Sequence, residues 1–109
     1  MKEKIINILI KQRKYRDPDF SAAKLAEVLG IENYALSRII KKEFGRSYSD
    51  IVLAARMNDA KKYLRNPNKD SMTVEEIGIL IGFKNRASFF QTFKKYVNDT
   101  PESFRKHKK

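Results

Sequence analysis

The chain has 109 residues, enough for one compact unit or two small lobes. Lys and Arg total 24 against 13 Asp and Glu, and the net charge of +11 suits a polyanionic partner while leaving DNA, RNA and anionic lipid all open. Without a cysteine the chain has no disulfide framework and no thiol chemistry, and a cytoplasmic setting fits that composition.

The longest apolar run, Ile5 to Ile10, is interrupted by Asn7 and falls far short of a membrane span, so neither an anchor nor a signal peptide is expected. Instead a first helix is expected from Lys2 to about Lys11, with Ile5, Ile6, Leu9 and Ile10 near one face; the β-branched content makes a strand the competing reading. Asp17-Pro18-Asp19 reads as a turn, because the residue before proline avoids helix and Asp favours turn initiation. Phe20 then staples a second helix, capped by Ser21, running from about Ala22 to Leu29 and stopped by Gly30. A third helix spans about Asn33 to Phe44, with Gly45 as its stop. Ser47 caps a longer helix through about Leu64, whose apolar positions are Ile51, Val52, Ala55, Ala60, Tyr63 and Leu64. Asn66-Pro67-Asn68 ends it, and residues 66–72 form a polar loop.

In the last third, Thr73 and Glu76 make a capping box for a short helix carrying Ile77, Leu80 and Ile81, closed by Gly82. Asn85 caps the next helix, on which Phe89, Phe93 and Tyr96 form an apolar stripe. Thr100-Pro101-Glu102 opens a final helix, and Phe104 is expected to pack it down. Arg105, Lys106, Lys108 and Lys109 read as a basic tail, best explained as a frayed solvated end. Two short amphipathic helices across a Gly-containing turn make a helix-turn-helix pattern, whose second helix can enter a DNA major groove.

That pattern occurs twice. Leu25 to Ile31 parallels Ile77 to Phe83 at an offset of 52, while Leu36, Ile40, Lys41, Lys42 and Gly45 parallel Phe89, Phe93, Lys94, Lys95 and Asn98 at an offset of 53. The second turn is therefore one residue longer, and Asn98 stands where a left-handed cap is needed. The expected architecture is all-α, with about seven helices in two helix-turn-helix lobes, residues 1–48 and 66–109, joined by a linker helix over 49–65. At ~1.5 Å per residue the linker is on the order of 25 Å long. With a lobe at each end it can set two reading helices about one DNA turn, ~34 Å, apart.

From about Leu25 to Arg105 the chain resembles the DNA-binding domain of the AraC/XylS family of bacterial transcription regulators. The residues that carry the resemblance are LAEVLGI, LSRIIKKEFGRSY, the spaced Arg56 and Ala60, EIGILIGF, FFQTFKK and TPESFR, of which the last three in that order are specific. Gly78 replaces a usual Ala and Asn98 a usual Gly, exchanges of small residues expected to leave the fold unchanged. Gln91 stands where Arg is commoner, which bears on the target sequence.

Helical geometry, at about 100° per residue, turns Leu36 and Ile40 inward and Tyr34, Arg38 and Lys41 outward, with Ser37 on the flank. On the equivalent helix it turns Phe89 and Phe93 inward and Ala87, Gln91 and Lys94 outward, with Asn85 and Arg86 at the N-terminal tip. Arg38 can donate to guanine O6 and N7, Gln91 can pair with adenine N6 and N7, Tyr34 can meet a thymine methyl or a phosphate, and Ala87 can accept a methyl. The resemblance implies base contact at Tyr34, Ser37, Arg38, Arg86, Ala87 and Gln91. Lys41, Lys42, Arg46, Lys94 and Lys95 are phosphate candidates, joined by the helix starts at Ser47 and Thr100. Arg56 is either a phosphate contact or an internal partner of an acid, the latter favoured. Phe90 is either core edge or a wedge against DNA, and core edge is favoured.

The function these residues point to is sequence-specific binding of double-stranded DNA by two recognition helices in successive major grooves. The alternative is a basic RNA-binding or architectural protein, which explains the charge but not the doubled motif. An enzyme is not expected: the one histidine, His107, lies in the basic tail, no triad, metal cluster or Gly-rich phosphate loop is visible, and no cofactor is implied. DNA-repair proteins that borrow this domain use reactive cysteines, absent here. Most members of the resembled family add a sensing or dimerisation domain, so an excised C-terminal fragment is expected in preference to a complete small regulator. The DNA-binding domain is expected to be monomeric, with RNA polymerase as a further partner and no membrane.

Overall fold

A computed structural model describes residues 1–69 and 71–107. Asp70 of the expected 66–72 loop, and Lys108 and Lys109 of the expected tail, lie outside the described residues. Among the described residues every regular element is helical: α1 (Lys2–Ile6), continued by a π-helical turn (Asn7–Lys11), a short 3-10 turn (Lys14–Arg16), α2 (Ala22–Leu29), α3 (Asn33–Phe44), α4 (Tyr48–Arg65), a second 3-10 turn (Pro67–Lys69), α5 (Val74–Leu80), α6 (Arg86–Val97) and α7 (Pro101–Lys106). The chain divides into two compact units, Met1–Ala55 and Arg56–Lys109, with the boundary inside α4.

In the first unit the opening helix widens after Ile6, so that the Gln12 N–H reaches five residues back to the Asn7 carbonyl at 2.9 Å. Ile5 and Leu9 are buried by it. Arg13 then takes a left-handed backbone, φ 59°, which no glycine or asparagine announces in the sequence. Ser21 caps α2 by accepting the Lys24 N–H at 3.2 Å, and Gly30 ends it at φ 70°. Asp17 Oδ1 accepts the Asp19 N–H at 2.8 Å and closes the turn before it. Leu25, Ala26, Leu36, Ile40, Ile51 and Val52 join Ile5 and Leu9 in one core, with Phe20 and Phe44 packed on it. Tyr15 is also in that core. Nothing in the local pattern singles it out.

In the second unit Thr73 and Glu76 form the expected reciprocal capping box: the Glu76 N–H donates to Thr73 Oγ1 at 3.0 Å, and the Thr73 N–H to Glu76 Oε1 at 2.7 Å. Those bonds from the Thr73 backbone and hydroxyl hold the Glu76 carboxyl below its usual range. A lowered carboxyl adds stability above the ordinary carboxylate range and loses it as pH falls through the folded-state value. The gap in thermal midpoint between the native chain and Glu76→Ala should therefore be widest near neutrality and narrow in acid; a gap independent of pH would contradict the charged cap.

Val74, Ile77, Gly78 and Ile81 make the buried face of α5, at i, i+3, i+4 and i+7. Leu80, at helical spacing with Ile77 but roughly 100° round the helix from the centre of that face, is 40% exposed. A Cβ built on Gly78 would lie 2.6 Å from Phe89 Cδ2 and 3.0 Å from Phe89 Cβ. The exchange of alanine for glycine leaves the fold as expected, but it bears on how closely α5 and α6 pack. Gly78→Ala gains about 1 kcal/mol of helix propensity but should cost about 1–3 kcal/mol of overpacking, so chemical denaturation should show a net loss. A stabilised variant would show that α5 and α6 can part freely.

Phe89 meets Phe83, Phe90 and Phe93 at ring-centroid distances of 5.5, 5.9 and 5.7 Å, and Phe93 meets Phe104 of α7 at 5.5 Å. Tyr96, the third member of the expected stripe, is 49% exposed. Its angle on the helix is that of the stripe, but it stands in the last turn of α6, beyond the buried Phe89 and Phe93. Asn98 takes the left-handed cap at φ 64°, matching Gly45 at φ 69° in the first unit.

Candidate nucleic-acid interface

Both candidate reading helices are 12 residues long and amphipathic in the same phase. On α3, Leu36 and Ile40 are fully buried, while Tyr34 (67% exposed), Ser37, Arg38, Lys41 and Lys42 face solvent. On α6, Phe89 and Phe93 are fully buried, while Asn85 at its cap and Arg86, Ala87, Gln91, Lys94 and Lys95 along it face solvent. Each unit, taken by itself, thus has one helix whose inner side is locked in the core and whose outer side is polar and basic.

Within the first unit, Lys41, Arg46 and Ser47 come together with Ser37 and Tyr48 around a concavity of about 190 Å³ at the start of α4. Ser47 Oγ accepts the Asp50 N–H at 3.1 Å, fixing that helix start beside two cations. The positive end of the α4 dipole and the two cations favour an anion in the same place. In the second unit Thr100 Oγ1 accepts the Ser103 N–H at 3.1 Å and Asn85 Oδ1 accepts the Ser88 N–H at 2.8 Å. Asn85 therefore spends its carbonyl oxygen on the cap.

Arg86 differs from the other candidates. Its guanidinium lies 3.9 Å from the centroid of the Phe90 ring, with Nε 3.4 Å from Glu75 Oε2 on α5 and Nη2 3.4 Å from Glu102 Oε2 on α7. Phe90 is half-buried with its ring edge-on to Phe89, which places it at the rim of the core. Arg56 lies over the Phe83 ring at 5.4 Å, a packing role. Arg105 is not part of a frayed tail: its guanidinium donates to the carbonyls of Met72 at 2.7 Å and Lys69 at 3.3 Å, pinning the loop that precedes α5. His107 ends α7, its Nδ1 2.9 Å from the Ser103 carbonyl oxygen. The local sequence pattern does not mark Glu75, Glu102 and Arg105 as partners, because their contacts join residues 11 to 36 positions apart.

No helix among the described residues is long and apolar enough to cross a membrane. Paired helices with an exposed basic second member define a helix-turn-helix domain, and a family profile described as "Helix-turn-helix domain" matches residues 25–107. The chain belongs to that family, in its AraC type, the DNA-binding domains of bacterial transcription regulation. It is 30% identical to the probable transcription factor PqrA of Proteus vulgaris, over 98% of this chain and 88% of that protein. Other curated regulators are matched across 10%, 28% and 46% of their own length. Among solved structures, the C-terminal domain of the two-component response regulator yesN from Fusobacterium nucleatum is 35% identical with a TM-score of 0.86, covering 95% of this chain and 96% of that one. The DNA-binding domain of AdpA, solved with a target DNA, is 15% identical with a TM-score of 0.83 over 95% of this chain and 88% of that one, a likeness of fold alone.

Proposed function

We propose that the chain reads double-stranded DNA by laying α3 and α6 in successive major grooves of one duplex. The observation that carries this reading is the matched phase of the two helices: Leu36 and Ile40 on one, Phe89 and Phe93 on the other, are buried at equivalent positions, leaving equivalent outer faces. Tyr34, Ser37 and Arg38 address base edges from α3, and Asn85, Ala87 and Gln91 from α6. Arg38 supplies a fork for guanine and Gln91 a donor–acceptor pair for adenine. Lys41, Lys42, Arg46 and the Ser47 helix start hold phosphates on one side, and Lys94, Lys95 and the Thr100 helix start on the other.

On this reading one chain fills an asymmetric site as a monomer in the cytoplasm. In a regulator that carries a further domain, sensing or dimerisation would belong to that domain, and RNA polymerase is the partner that transcription control entails. The chain spans 88% of PqrA but 10%, 28% and 46% of three other regulators, so relatives of both sizes carry this domain.

If about six phosphates are neutralised, the affinity for duplex DNA should fall with salt at a log–log slope of about −5. A titration of duplex DNA beside structured RNA, repeated across salt concentrations, checks this. A flat salt response, or equal affinity for the RNA, contradicts the assignment.

A further inference from the structure

We infer that Arg86 is a positioning residue that sets the pitch of α6 on DNA through Glu75 and Glu102, and that it does not itself read a base; this rests on the DNA-reading function proposed above. The guanidinium has both its edges and one face engaged. Nε turns to Glu75 on α5, Nη2 to Glu102 on α7, and the plane lies over Phe90 one turn further along α6. Phe90 is itself edge-on to Phe89, and Phe89 closes on Gly78 of α5. One side chain at the first position of α6 thus ties the reading helix to the helix before it and the helix after it.

Reading a base edge would require the same planar fork to leave two carboxylates and a ring together. Arg86 is 56% exposed, so each ion pair alone is weak, but a planar fork shared by three partners has one orientation to offer. The outer face of α6 is then read through Ala87 and Gln91, whose direction the tie fixes.

The test is a double-mutant cycle on the whole chain, with Arg86→Ala, Glu75→Gln/Glu102→Gln and the triple variant. Affinity is measured for a duplex carrying a sequence selected by the native chain and for a scrambled duplex, at temperatures where each variant is fully folded. Preference among the four base pairs is measured at each position of the selected site. Arg86→Ala should weaken binding to the selected duplex by about threefold to tenfold, with the order of base preference kept at every position. Removing the two acids should weaken binding when Arg86 is present, relative to the same change made in the Arg86→Ala background; that comparison cancels the general gain from losing negative charge. Should Arg86→Ala not fold, Arg86→Lys takes its place, since lysine keeps the charge without the planar fork.

The inference is overturned if Arg86→Ala flattens preference at one base pair, if removing the acids tightens binding more with Arg86 present than without it, or if the cycle is additive. A fall in thermal midpoint with no coupling in affinity also overturns it, leaving a strut with no part in reading. If the native chain itself fails to prefer the selected over the scrambled duplex, the DNA-reading function fails instead, which is a separate outcome.

Discussion

Phe89→Ala should remove about 3–5 kcal/mol from the stability of the second unit. Phe89 is fully buried and is the ring on which the others in this unit converge, meeting Phe83, Phe90 and Phe93 and lying against the bare Cα of Gly78. A cavity at that point has no flexible neighbour to fill it, since α5 already approaches as closely as glycine allows. A unit of this size has little stability to spare, so the variant should melt the second unit at a temperature where the first remains folded. Thermal unfolding followed by helix signal should then show a second-unit transition at lower temperature than in the native chain. A loss below about 1 kcal/mol would mean that the rings repack, and that the aromatic cluster is not what holds α6 in place.

Arg38→Ala should cost about 1–3 kcal/mol on the preferred DNA site and much less on random duplex. Arg38 stands on the exposed face of α3, one turn beyond Tyr34 and opposite the buried pair Leu36 and Ile40. Its fork is the group in the first unit best suited to guanine, whereas Lys41 and Lys42 are point charges suited to phosphate. The comparison of selected with scrambled duplex separates these roles. A bidentate base contact loses specificity, and a phosphate contact loses affinity equally on both. An equal loss would reduce Arg38 to the second role.

What the sequence makes legible here is what is local. Ser21, Thr73, Asn85 and Thr100 each cap a helix as expected, because a cap is settled by a side chain and an N–H three residues away. Gly30, Gly45 and Asn98 end helices with left-handed backbone for the same reason. The doubled apolar phase gives both reading helices and their outer faces. The misreadings arise where a partner element decides the outcome. Periodicity puts Tyr96 on the apolar stripe of α6 and Leu80 among the apolar positions of α5, yet they are 49% and 40% exposed. Arg105 looks like part of a solvated tail until the carbonyls of Met72 and Lys69, more than 30 residues earlier, are seen beneath it. The contacts of Arg86 with Glu75 and Glu102 are likewise not visible in the local pattern. For Arg105 and Arg86 the contacts come from segments more than ten residues away in the chain and leave no periodic trace.

Selection of bound sequences from a random duplex library is the most direct test of two reading heads on one chain. Two unlike clusters of preferred base pairs should emerge, centred about 10 base pairs apart in a fixed orientation, with Arg38→Ala erasing preference in one and Gln91→Ala in the other. Enrichment of a single cluster, or two clusters at freely varying spacing, would contradict the account.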